Sequence, residues 1–142
     1  MSFLLKNFAR VWKLLPRSGR VFLARITQPK FTASVAGVIT DAEGRVLVLD
    51  HVLRPASGWG LPGGFMKHFE QPIDALKREI REETGIELSD IKLYRVRTLK
   101  RHIEFIFTAE ADARGEVKSR EITAVEWFEP AGLPPEMNVD QQ

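Results

Sequence analysis

Apolar side chains recur at Leu4, Leu5, Phe8, Val11, Trp12 and Leu15. This spacing predicts an amphipathic helix over residues 3–15 with a basic opposite face. Pro16 and Gly19 are expected to stop it. From Phe31 the pattern changes. Residues 33–39 are almost wholly apolar, residues 41–44 (Asp-Ala-Glu-Gly) carry turn chemistry, and residues 46–49 resume the apolar run. Runs this continuous predict a sheet covered on both faces, although short runs are also compatible with buried helix. A Gly/Pro-rich loop follows at residues 58–64. One strong helix is then predicted at about 72–84, with Pro72 suited to its first position, Asp74 to its positive end and Gly85 to its stop. Further strands are expected near 91–99, 103–109 and 122–128, ahead of a short, proline-broken tail. The sum is a mixed sheet with helices packed on it, an α+β fold.

The 142 residues fit one main domain, and 44% apolar with 28% charged residues is ordinary for a folded protein. The chain has no cysteine, which excludes disulfide scaffolds, thiolate zinc sites, iron–sulfur clusters and a thiol nucleophile. His51, His68 and His102 lack zinc-site spacing, so any metal would be a hard ion held by oxygen. Charge is uneven. Residues 1–30 carry seven basic side chains and no acidic one, while the other 112 residues carry fourteen basic against nineteen acidic. This divides the chain into a basic arm, 1–30, and an acidic body, 31–142. The arm has three readings: a helix docking on its own domain or on a second copy in a homodimer, a membrane-surface helix, or a contact for RNA. No apolar run approaches the roughly 18 residues that span a bilayer. The start also lacks the unbroken apolar core of a secretory signal, so a cytoplasmic protein is expected.

The chemistry concentrates in residues 63–86. On the predicted helix, Glu79, Glu82 and Glu83 stand at i, i+3 and i+4 and share one face. Ile73, Leu76 and Ile80 lie opposite and are expected to bury against the sheet. Each like-charge pair destabilises the helix by about 0.2–0.5 kcal/mol. Solvent tolerates that penalty, and a divalent cation among the carboxylates removes it. Oxygen ligands with retained water suit magnesium beside substrate phosphates. An acidic helix face alone is ordinary, and the surrounding residues decide its meaning. Gly64, Glu70, Arg78, Glu79, Glu82, Glu83 and Gly85 fill every fixed position of G-x5-E-x7-R-E-U-x-E-E-x-G-U, with Ile80 and Ile86 at both aliphatic (U) positions.

That 23-residue pattern resembles the Nudix box, and the strand pattern extends the resemblance across about 32–130. The resemblance implies an α/β/α sandwich with the box as loop–helix–loop. It also implies a Mg2+- or Mn2+-dependent hydrolase that cuts a pyrophosphate bond in a nucleoside diphosphate linked to another group. Carried over by position, Glu79, Glu82 and Glu83 would bind metal, with the Gly63 carbonyl and a later glutamate. Glu121, six residues before Trp127, matches that later placement better than Glu116 or Glu126. Arg78 would hold the carboxylates by ion pairing, Glu70 would stabilise the loop with Gly64 and Gly85, and Glu79 is favoured over Glu83 and Glu121 as the base. Phe69 departs from the pattern, because family members usually place glycine there.

Arg95 and Arg97 share a strand face that would suit phosphates, with Lys100 and Arg101 nearby, although such charges also simply solubilise a hairpin. Trp59 would stack on a base or pack in the core. His68 reads as a loop residue or a phosphate contact. Residues 100–103 hold neither the proline nor the tyrosine that marks the ADP-ribose and diadenosine-polyphosphate branches. The small-molecule nucleotide hydrolase competes with two other readings. One is a nucleotide-sensing module without turnover; the other is a hydrolase of RNA 5′ ends whose arm holds the phosphate backbone.

Overall fold

The computed structural model describes residues 3–54, 58–112 and 114–137. The chain divides into two compact units, Met1–Phe31 and Thr32–Gln142. The first is helical, with α1 (Phe3–Leu14) and α2 (Arg17–Thr27). The expected helix is present and stops at Leu14, just ahead of Pro16, but Gly19 ends nothing, because a second helix begins at Arg17. Pro16 is the extended N-cap residue of a second helix, where its fixed φ and missing N–H are tolerated. Gly19 lies inside α2, in the i, i+3, i+4, i+7 row Gly19, Phe22, Leu23 and Ile26. That apolar stripe outweighs the roughly 1 kcal/mol a helical glycine costs.

The second unit is built on a mixed sheet. Its described strands are β1 (Thr32–Thr40), β2 (Val46–His51), β3 (Trp59–Gly60), β4 (Gly63–Phe65), β5 (Ser89–Leu99), β6 (His102–Glu110) and β7 (Ile122–Phe128). The order along the sheet is β3-β2-β1-β6-β5, with β4 also paired to β1 and β7 to β2. β1 and β6 run parallel, from Thr32 opposite His102 to Thr40 opposite Glu110. The other pairings are antiparallel. Short strands β3 and β4 occupy the glycine-rich stretch read from sequence as loop.

β2 shows why its apolar run is continuous. Leu47 and Leu49 enter the main core with Val35, Ile39, Leu76, Ile80 and Phe107. Val46 and Val48 face a second cluster with Leu61 and Met137. Both faces are therefore covered, and every residue from Val46 to Leu49 is buried. Helix α3 (Pro72–Thr84) supplies Ala75, Leu76 and Ile80 to the main core. Ile73, expected to bury with them, is 38% exposed. It sits in the first turn, and Ala75 and Leu76 fill the inward positions instead. α3 ends at Gly85, whose φ of 74° is left-handed and whose N–H donates to the Arg81 carbonyl at 3.0 Å.

Candidate active site

Two adjacent glycines bring the sheet to α3. Val35 faces Gly64 and Ala36 faces Gly63 across β1 and β4. The Gly37 and Met66 amides lock both flanks by donating to the carbonyls of Pro62 and Ala33, each at 3.0 Å. Gly63 has φ of 149°, and a Cβ there would lie 2.1 Å from the Val35 carbonyl oxygen. At Gly64 a Cβ would meet the Glu79 carboxylate at 2.6 Å. The missing side chain of Gly64 is thus the space in which the Glu79 carboxylate sits.

Arg78 organises the rim. Its Nε donates to Glu70 Oε1 at 2.7 Å and its Nη2 to Glu70 Oε2 at 2.9 Å. Nη1 reaches Glu79 Oε1 at 2.7 Å and Glu82 Oε2 at 3.3 Å, and Nη2 also donates to the Phe65 carbonyl. A planar fork suits this array, which an ammonium would not match. Glu70 also accepts the Lys67 amide at 2.8 Å. These contacts, Arg78 first, hold the Glu70 carboxyl down at about 2. Glu82, 55% exposed, lies 3.6 Å from the Lys67 ammonium.

Glu83 differs from the rest. It is buried, 7% exposed, and its Oε2 has no hydrogen-bond partner. Its pKa is pushed up to about 8, first by burial, then by the charge of Glu79 and, less, of Glu121. The Gly63 N–H, which donates to the carboxylate, and the Arg54 guanidinium pull the other way. A buried acceptor left unsatisfied is costly and unusual. Glu79, Glu83 and Glu121 therefore share one electrostatic neighbourhood, while Arg78 and Lys67 hold Glu82 at the rim. Among the described residues no three acidic or imidazole groups converge into a ready metal cage. The donor set nevertheless fits a hard divalent cation, because the buried Glu83 carboxyl lacks enough positive charge to ionise readily and the carboxylates near it offer oxygen ligands.

Glu121 is fixed by its backbone: its carbonyl accepts the Val52 amide at 2.9 Å and its N–H donates to Ser119 Oγ at 3.2 Å. Glu116 instead donates its amide to the Thr84 carbonyl at the end of α3, and Glu126 lies on β7 opposite Val48. Arg95 and Arg97 line a cleft of about 710 Å³ with Tyr94, Ile106, Thr108 and Leu133. Arg97 is ion-paired to Glu104 on the neighbouring strand. Trp59 packs edge-on against Phe128, ring centroids 5.4 Å apart, beside the second cluster. His68 is exposed, edge-on to Phe69. Phe69 has φ of 64°, so the chain adopts at this position the left-handed conformation that glycine takes without strain.

Sequence reasoning missed Arg54. Its Nη2 donates to the Leu61 carbonyl at 3.0 Å. Burial lowers its pKa against the opposing pull of Glu83 and Glu104. Charges thus alternate Glu83, Arg54, Glu104, Arg97 from the base of α3 to the cleft. The one available signal was a basic residue shortly before the glycine loop, which is too common a feature to single it out.

The mixed-sheet fold thus carries a helix-borne carboxylate cluster beside a glycine turn, with one buried glutamate oxygen left unpartnered. The Nudix domain family matches residues 30–142, and the chain belongs to that family, which generally uses a divalent metal. It is 35% identical over 105 residues to a MutT-like protein of Streptomyces ambofaciens, covering 72% of this chain and 66% of that one. It is 38% identical over 87 residues to the 8-oxo-dGDP phosphatase NUDT18 of Danio rerio, covering 60% of this chain and 26% of that one. The crystal structure of a MutT Nudix hydrolase from Burkholderia pseudomallei superposes with a TM-score of 0.70 at 26% identity, covering 79% of this chain and 93% of that one. The chain therefore spans about two thirds of the Streptomyces relative and about a quarter of the Danio one.

Proposed function

We propose that this chain hydrolyses a pyrophosphate bond in a nucleoside diphosphate linked to another group, using Mg2+ or Mn2+. The observation that carries this reading is the buried, unpartnered Oε2 of Glu83 beside Glu79 and Glu121. A module that only binds nucleotide gains nothing from burying such a group. Glu79, Glu82, Glu83 and Glu121, with the Gly63 carbonyl, would hold the metal. When bound, a divalent metal neutralises phosphate oxygens and lowers the pKa of water.

The chain's own residues do the rest. Arg78 holds one oxygen of Glu79 and leaves Oε2 to take a proton from the attacking water. Gly64 leaves the room that this carboxylate needs. Glu70 fixes the guanidinium, so Arg78 orients carboxylates and does not reach the substrate. Arg54, held on the Leu61 carbonyl, adds positive charge beside Glu83. Arg95 and the apolar wall of the cleft would hold the nucleoside end, which suits a small nucleotide with an exposed phosphate chain. The Danio relative's name directs the first substrates to oxidised guanine nucleotides.

The test is a panel of 8-oxo-dGTP, 8-oxo-dGDP, unmodified triphosphates, nucleotide sugars and dinucleotides, with Mg2+ or Mn2+, scored by phosphate release and product mass. Turnover of at least one class is expected with metal and none in excess EDTA. Turnover that EDTA leaves untouched would remove the metal from the proposal.

A further inference from the structure

The helical unit is not needed to explain the site, and its surface is unusual. No side chain of α2 is buried. Phe22 and Ile26 are 62% and 59% exposed and lie one turn apart in the same apolar row. Val11 and Leu14 of α1 are exposed as well, and Ala9, Trp12, Leu15 and Leu23 line an apolar groove of about 560 Å³. Helices of 11 and 12 residues are marginal in water without an apolar surface to lie on. Arg17 and Arg20 turn away from the row of Phe22 and Ile26, and Arg25 flanks it. Residues 1–30 hold seven cations and no carboxylate, so nothing within that segment neutralises them.

We propose that this helical unit binds the surface of an anionic lipid bilayer, with its apolar rows in the headgroup–acyl boundary and its arginines and lysines among lipid phosphates. Aromatic and aliphatic rows opposed by basic faces are what interfacial helices require. Among the described residues no helix is long and apolar enough to cross a membrane, so the helices lie in the plane. Charge argues against a second copy, which would set seven cations against seven. The aliphatic row argues against RNA, because Val11, Leu14 and Ile26 offer a phosphate backbone nothing.

The test is co-sedimentation of the full chain with vesicles of equal parts phosphatidylglycerol and phosphatidylcholine, or of phosphatidylcholine alone. Binding is expected to the anionic vesicles only. At about five-fold per cation, Arg17→Glu with Arg25→Glu should weaken it more than about 25-fold. Phe22→Ser with Ile26→Ser, at unchanged charge, should weaken it at least about tenfold, with circular dichroism checking that helix is retained. The wild-type chain, whose folding is not in question, should release from anionic vesicles as salt approaches about 1 M. The proposal fails if neither vesicle binds, if both bind equally, or if the apolar pair leaves binding unchanged. It fails equally if these variants abolish retention on RNA or a concentration-dependent dimer while the wild type ignores vesicles.

Discussion

Glu83→Gln is expected to abolish metal-dependent turnover, by at least about 100-fold, and at the same time to stabilise the metal-free protein. Both effects come from one atom. In the folded chain the Glu83 carboxyl titrates at about 8, because burial and the charge of Glu79 disfavour its anion. The unfolded chain releases the same proton near 4.5. Between these values the native state holds a proton that the unfolded state lacks, so stability in metal-free buffer falls as pH rises from about 4.5 to about 8 and levels off above. At pH 7 the penalty is on the order of 3 kcal/mol. Glutamine occupies the same volume without the charge and removes it. For a domain of this size the midpoint of thermal unfolding in EDTA should rise by at least about 10 °C, and the downward slope of stability with pH should flatten. Divalent metal should reverse the ranking, stabilising the wild type and leaving the variant unmoved. Equal unfolding midpoints for the two proteins at pH 8 in EDTA would show that the fold does not raise the Glu83 carboxyl, and the metal assignment would lose its basis.

Residues that announce themselves by period or by fixed spacing were legible in the sequence. The covered strand Val46 to Leu49 showed as an unbroken apolar run, because each residue must satisfy one core or the other. Helix α3 showed through Pro72, its apolar row and Gly85, and its carboxylates through the box. What the sequence concealed depends on approach between distant segments. β3 and β4 are two and three residues long and exist because β2 and β1 lie beside them, so no local pattern marks them. Ile73 matched the helical row yet stands outside the core, since Ala75 and Leu76 take the inward positions of that end of α3. Gly19 read as a terminator because glycine is weak in helices, but the apolar row around it decided otherwise. Arg54 gains its meaning only from Glu83 and Glu104, 29 and 50 residues further along the chain. Phe69 is the converse case. The departure was visible in the sequence, while the left-handed φ that makes glycine the easier residue there was visible only in the fold.

Gly64→Ala should separate the site from the fold it stands on. The two box glycines look equivalent in sequence and differ in what a methyl group would strike. At Gly63 it would drive into the Val35 carbonyl oxygen at 2.1 Å and demand a φ of 149°. Neither can relax without breaking the pairing of β1 with β4, so that alanine variant should not fold normally. At Gly64 the obstacle is the Glu79 carboxylate, 2.6 Å away, which is the free end of a flexible side chain. The backbone there carries no left-handed strain. The carboxylate can therefore swing aside at little cost to the fold, within about 1 kcal/mol as expected for a change that leaves packing intact. Swinging aside also pulls Glu79 off Arg78 and away from Glu83. A displacement of about 1 Å in a reacting group is enough to lose about 100-fold in rate. Gly64→Ala is thus expected to unfold within a few degrees of the wild type, at about 4 °C per kcal/mol for a chain of this size, while its kcat falls about 100-fold and its KM changes little. Full activity in a well-folded Gly64→Ala protein would mean that the position of Glu79 is irrelevant to turnover. The proton would then have to be taken by another of the clustered carboxylates.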